Sequence, residues 1–78
     1  MNKIKCLSCL KPGECGKVLK LNTSGSMRRR FLDIGLIQNT LIECIGTSPG
    51  GDPSAFLIRG AVIAIRSHDS SDIIIESI

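Results

Sequence analysis

Ser24 to Leu36, Ser-Gly-Ser-Met-Arg-Arg-Arg-Phe-Leu-Asp-Ile-Gly-Leu, is the clearest helical stretch of this chain, and strand-like segments lie on either side of it. Met27, Phe31 and Ile34 recur at steps of four and three, which puts them on one helix face, with Arg29, Arg30 and Asp33 turned away. Ser24 or Ser26 is placed to cap the first turn with its hydroxyl. Gly35 is placed to take the left-handed stop conformation, after which Leu36 folds back on Phe31. A chain with one short helix must draw the rest of its core from strands. Arg28, Arg29 and Arg30 are expected near the positive end of that helix, where like charge costs about 0.3–1 kcal/mol per residue. The run reads either as a solvated basic face or as a contact for an acidic partner, because guanidinium pairs carboxylate and phosphate bidentately.

The strands are read from alternation and from the turns between them. Lys11-Pro12-Gly13-Glu14 predicts a turn, followed by a strand over Cys15 to Leu21 with Leu19 and Leu21 inward and Lys20 outward. Thr40 to Gly46 predicts a second strand, with Ile42 and Cys44 on one face and Leu41, Glu43 and Ile45 on the other. Thr47 to Pro53 is dense in turn formers and reads as a loop or hairpin tip. Ser54 to Arg59 and Ala61 to Arg66 follow as strands on either side of Gly60, which breaks or bulges them. Ser67 to Ser71 is a polar turn or a single tight helical turn, and Asp72 to Ile78 is a last strand rich in isoleucine.

Seventy-eight residues hold one domain, 1–78, with 1–9 as a leading segment, and leave no room for both a large core and a deep cleft. No apolar run is long enough to span a bilayer and no signal-peptide core follows Met1, so a soluble, cytoplasmic module is expected. The net charge of +3 is modest, and with only Phe31 and Phe56 as aromatics the platforms that stack single-stranded bases are missing; no nucleic acid is expected as a partner. His68 and Asp69 are adjacent and do not form a base with its orienter, and there is no glycine-rich phosphate loop with its lysine. The chain is read as a binding module, not an enzyme.

The order of these pieces carries a resemblance. Leu10-Lys11-Pro12-Gly13-Glu14, a strand, the arginine-led helix ending in Gly35-Leu36, a strand, Gly51-Asp52-Pro53, a strand, Arg59-Gly60 and Ile63-Ala64-Ile65-Arg66 together resemble the ferrous iron transport protein A (FeoA) family, from about Leu10 to Glu76. The resemblance implies a mainly β fold: a small SH3-like barrel of about five strands, with one short α-helix inserted after the first. It also implies a cytoplasmic accessory protein that binds and regulates the ferrous iron permease (FeoB), through its GTP-binding domain or its membrane portion. This chain would then be peripheral to the membrane through its partner only.

Two departures from the family pattern shape the site expectations. Leu57 and Val62 are apolar where polar residues are common, and with Ala55 and Ala61 they form either an exposed patch, for a partner or for self-association, or cover for the barrel. The partner-binding residues are therefore taken as Arg28, Arg29 and Arg30 for charge, with Leu57 and Val62 as apolar anchors. The cysteines, which the family does not require, are the second departure. Cys6 and Cys9 have the spacing with which two thiolates grip one ion, and Cys15 and Cys44 complete a four-sulfur shell for Fe2+ or Zn2+ if the strands bring them together. Against this, the usual second Cys-x-x-Cys is missing, and Cys44 shares a strand face with Ile42, where a free thiol acts as a small hydrophobe. The alternatives to a permease partner are thus a transition-metal-binding domain and a small basic nucleic-acid-binding barrel.

Overall fold

A computed structural model describes residues 3–78. Met1 and Asn2, the start of the leading segment, lie outside the described residues. The elements run β1 (Ile4–Cys6), a 3-10 turn (Leu7–Cys9), β2 (Cys15–Leu21), α1 (Gly25–Asp33), β3 (Leu41–Thr47), β4 (Ser54–Ile58), β5 (Ala61–Ile65), α2 (Ser67–Ser70) and β6 (Ile73–Ser77). All six strands join in one antiparallel sheet in the order β1-β6-β2-β3-β4-β5. The sixth strand, beyond the five expected, comes from the leading segment: β1 pairs with β6, and the turn after it buries Leu7, with Leu10 close behind.

One face of the sheet carries the core. Val18, Ile42, Cys44, Phe56, Ile58, Ile65, Ile73 and Ile75 meet there with Leu7, Leu10, Phe31 and Leu36. β2 departs from strict alternation. A bulge between Val18 and Lys20 inserts Leu19 as an extra residue, so Gly16 and Val18 point in, Leu19 is only half-buried, and Leu21 rejoins the core side opposite Ile73. The expected inward Leu19 is corrected by that insertion. At Gly16 the sheet leaves no space: an added Cβ would press on the Ile75 side chain.

α1 closes the core as its spacing predicts, with Phe31 buried and Met27 and Ile34 packed alongside. Its end is a Schellman motif: Gly35 has φ +98°, its N–H donates to the Leu32 carbonyl at 3.0 Å, and the Leu36 N–H donates to the Phe31 carbonyl at 3.0 Å. Ser24 is the N-cap by backbone, but its hydroxyl makes no capping bond, contrary to expectation. Because the helix runs from Gly25 to Asp33, only Arg28 lies in the first turn, and Arg30 falls in the last, where the dipole favours a cation.

The segments carrying the resemblance turn out to be joints. Lys11 to Glu14 is a turn with Gly13 at φ +90°; the Glu14 carboxylate accepts from the Lys11 N–H at 2.8 Å, and that bond, with help from the Lys5 charge, holds the carboxyl below its ordinary pKa. The side chain of Arg59 lies over Gly35, where any Cβ would collide with it. Asp52 accepts from the Ser67 N–H at 2.8 Å, tying the β3–β4 loop to the first turn of α2. Arg59-Gly60, expected as a break or bulge, is a two-residue hairpin turn with φ of +50° and +85°, the primed geometry that matches strand twist.

Candidate functional site

The outer face of the sheet is where side chains not needed by the core collect. Strand register aligns Cys15 with Glu43, Glu43 with Leu57, and Leu57 with Val62, so these four form one line across β2, β3, β4 and β5. A second line joins Ile4, Glu76, Lys17 and Leu41 across β1, β6, β2 and β3, with Lys17 and Glu76 paired at 3.8 Å. Leu41 and Val62 are 62% and 63% exposed, and Leu57 is half-buried between them. A shallow groove of about 310 Å³ crosses the first line, lined by Cys15, Leu41, Glu43, Leu57, Arg59 and Ile78. Of the two expected uses of Leu57 and Val62, exposed patch or barrel cover, the geometry therefore matches the patch. Its membership differs, because Ala61 pairs with Ile58 on the core-side alternation, whereas Ala64, opposite Ala55, belongs to the outer face.

Sequence reading missed Ile4, Ile78 and Arg59 in this region. Leu41 and Glu43 were separated correctly from Ile42 and Cys44, but no signal in the chain tells which strand their line continues into. Register is a property of paired strands.

The three arginines do not make one surface. Consecutive helical residues stand about 100° apart, so Arg28 and Arg30 flank opposite sides of α1 with Arg29 between them. Arg28 borders the groove against β2 and donates to the Leu21 carbonyl at 3.1 Å; Arg30 borders a separate groove beside β5 and α2. All three are exposed.

The four cysteines are not gathered either. Cys15 lies on the outer line, whereas Cys44 is fully buried in the core on the opposite face of the sheet. Cys6 is half-buried at the end of β1 and Cys9 is exposed at the end of the following turn. Among the described residues, no group of three or more His, Cys, Asp or Glu side chains is close enough to hold a metal. The four-sulfur shell is thus corrected, because alternation along β3 sends Cys44 inward. Burial pushes the Cys44 thiol above its ordinary pKa, keeping it protonated and unreactive. With a maleimide reagent on native protein, Cys9 and Cys15 are expected to be labelled first and Cys44 roughly a hundredfold or more slowly, limited by opening of the core. Peptide mapping of the labelled protein checks this, and equal rates would place Cys44 at the surface.

A six-stranded antiparallel sheet with a helix inserted between β2 and β3, and apolar Leu41 and Val62 exposed on its outer face, is an SH3-like arrangement. The chain belongs to the FeoA family: the FeoA domain model matches residues 5–77. A FeoA-like protein from Clostridium acetobutylicum is 29% identical, with a TM-score of 0.88, over 100% of this chain and 91% of that one. The FeoA protein of Chlorobium tepidum is 26% identical, also at TM-score 0.88, over 94% of this chain and 70% of that one. The fold is shared too with FeoA of Stenotrophomonas maltophilia, described as a prokaryotic SH3 domain protein and solved in complex with zinc. It is 18% identical at TM-score 0.81, over 90% of this chain and 87% of that one. No curated protein matches the sequence. No helix among the described residues is long and apolar enough to cross a membrane.

Proposed function

We propose that this chain is a non-enzymatic, cytoplasmic accessory protein of ferrous iron uptake that docks on the GTP-binding ferrous iron permease and regulates it. The observation that carries the reading is the FeoA match over residues 5–77, nearly the whole single domain. The outer face supports it: apolar Leu57 and Val62 lie side by side at the surface, with Leu41 nearby, and such residues suit the desolvated centre of an interface. The Stenotrophomonas relative is itself named as a candidate ferrous iron transport activating factor. In this reading the arginines act by steering, since they are exposed and spread around α1. Iron is the permease's cargo and is not assigned to this chain. The alternative of a metal-binding domain has no donor set of three among the described residues to support it.

The test is an amide-resolved NMR titration of labelled protein with the permease's soluble GTP-binding domain, with and without a non-hydrolysable GTP analogue. Shifts are expected across Leu41 to Glu43 and Leu57 to Val62. A nucleotide-dependent difference would make the chain a regulator of the GTP cycle. Absence of shifts with both that domain and the detergent-solubilised whole permease would overturn the proposal.

A further inference from the structure

Strands at the ends of a sheet present unpaired amide and carbonyl groups, and proteins commonly blunt them with lysine, proline or brevity. β1 is blunted, being three residues long with Lys5 inside it and Lys3 just before. β5 is not: Ala61-Val62-Ile63-Ala64-Ile65 has no charge and no proline, and pairs with β4 alone. The two-residue turn fixes which of its groups are free. Ile58 and Ala61 close the hairpin as a hydrogen-bonded pair, and bonding alternates from there. Ala61, Ile63 and Ile65 therefore bond to β4, while Val62 and Ala64 turn their N–H and C=O groups away from the sheet. Both residues are exposed.

The surroundings of this edge say what it would accept. A groove of about 200 Å³ runs between α1 and the end of β5, with Met27, Phe31, Ile63 and Ile65 among its apolar lining and Arg30 and Arg66 at its border. Asp69 also borders it, yet neither guanidinium forms an ion pair among the described residues. Arg59 stands at the other end of the strand. An incoming strand would therefore meet the Arg30 and Arg66 cations near the end of β5 and apolar side chains along the groove.

We propose that β5 is a docking edge for an extended segment of a partner protein in which acidic and apolar residues alternate. The segment adds to the sheet beside β5 through the backbone groups of Val62 and Ala64. Its apolar residues lie along the outer face, and its carboxylates meet Arg30 and Arg66 on the helix side. A second copy of this chain fits poorly, because β5 has an arginine beyond each end and pairing β5 with β5 opposes arginine to arginine in either direction. The inference does not depend on the permease reading, which uses side chains of the outer face.

The probe is an end-capped octapeptide alternating valine and glutamate, titrated into labelled protein. Expected are shifts and slowed hydrogen exchange at the Val62 and Ala64 amides. Affinity should fall about tenfold or more when lysine replaces glutamate in the peptide, and similarly in the Arg30→Glu variant. Of two peptides N-methylated at every second residue in opposite phases, only one should bind. Ala64→Pro removes an edge donor that β4 does not use and keeps the Val62 side chain, so it should abolish peptide binding while leaving permease docking intact. Should that variant melt early, Arg30→Glu on the exposed helix carries the peptide-binding arm of the test. The proposal is overturned if millimolar peptide leaves the Val62 and Ala64 amides unmoved, or if both N-methylated peptides bind like the parent. A concentration-dependent dimer in sedimentation that Ala64→Pro dissolves would overturn it in favour of a second copy.

Discussion

Phe56→Ala is expected to remove about 3–5 kcal/mol of folding stability, the largest loss from any single truncation in this domain. Phe56 is 1% exposed on β4, the largest of the fully buried side chains, with Cys44 and Ile63 as its cross-strand partners. Truncation removes its apolar area from the core and leaves a cavity that the sheet cannot close, because ladder hydrogen bonds hold β3 and β5 at a fixed spacing from β4. A chain this size has a total stability of about 4–12 kcal/mol, so the loss takes roughly a quarter of it or more and unfolds the variant outright at the low end of that range. Urea denaturation followed by circular dichroism measures the loss. Leu41→Ala, at a 62% exposed position, is the control and should stay within about 0.5 kcal/mol of the parent. A loss below about 1 kcal/mol for Phe56→Ala would mean that the core is not centred on β4.

Leu57→Lys combined with Val62→Glu is expected to weaken the proposed binding to the permease's GTP-binding domain by about 2–4 kcal/mol, or roughly 30- to 1000-fold. The pair is chosen so that folding is undisturbed. Leu57 stands between Glu43 and Val62 in the outer line, so the new cation falls between two carboxylates and no like charges face each other. Each anchor, however, becomes a charge that docking must strip of water. Calorimetric titration gives the affinity, and an unchanged melting temperature shows that the sheet has survived. A folded variant that binds as tightly as the parent removes the outer face from the interface.

Much of this arrangement could be read in the chain. β3 and β4 each have one buried face, so alternation alone separated Ile42 and Cys44 from Leu41 and Glu43. The end of α1 was legible because Gly35 followed by Leu36 satisfies the carbonyls of the last turn in one well-defined way. β1 was not legible: three residues are too few to show a period, and Leu7 and Leu10 reach the core from a turn. Leu19 was misread because a bulge changes the count without changing the composition. The arginines were misplaced along the dipole because that depends on where the helix begins, and one turn of error moves a charge from the unfavourable end to the favourable one. For the candidate site, Leu57 and Val62 stood out as apolar departures from a family pattern. Their alignment with Glu43 and Cys15 exists only once four strands have paired.

The place of β6 between β1 and β2 has a consequence for how the protein is made. As the chain leaves the ribosome, β2 through β5 can form a meander from neighbouring hairpins and the α1 crossover. β1 has no strand to lie against until Ile73–Ser77 emerges. The first strand in chain order is thus the last to be secured, and Leu7 waits on β6 for its place in the core. Pairing of the first strand with the last is the event that completes the sheet.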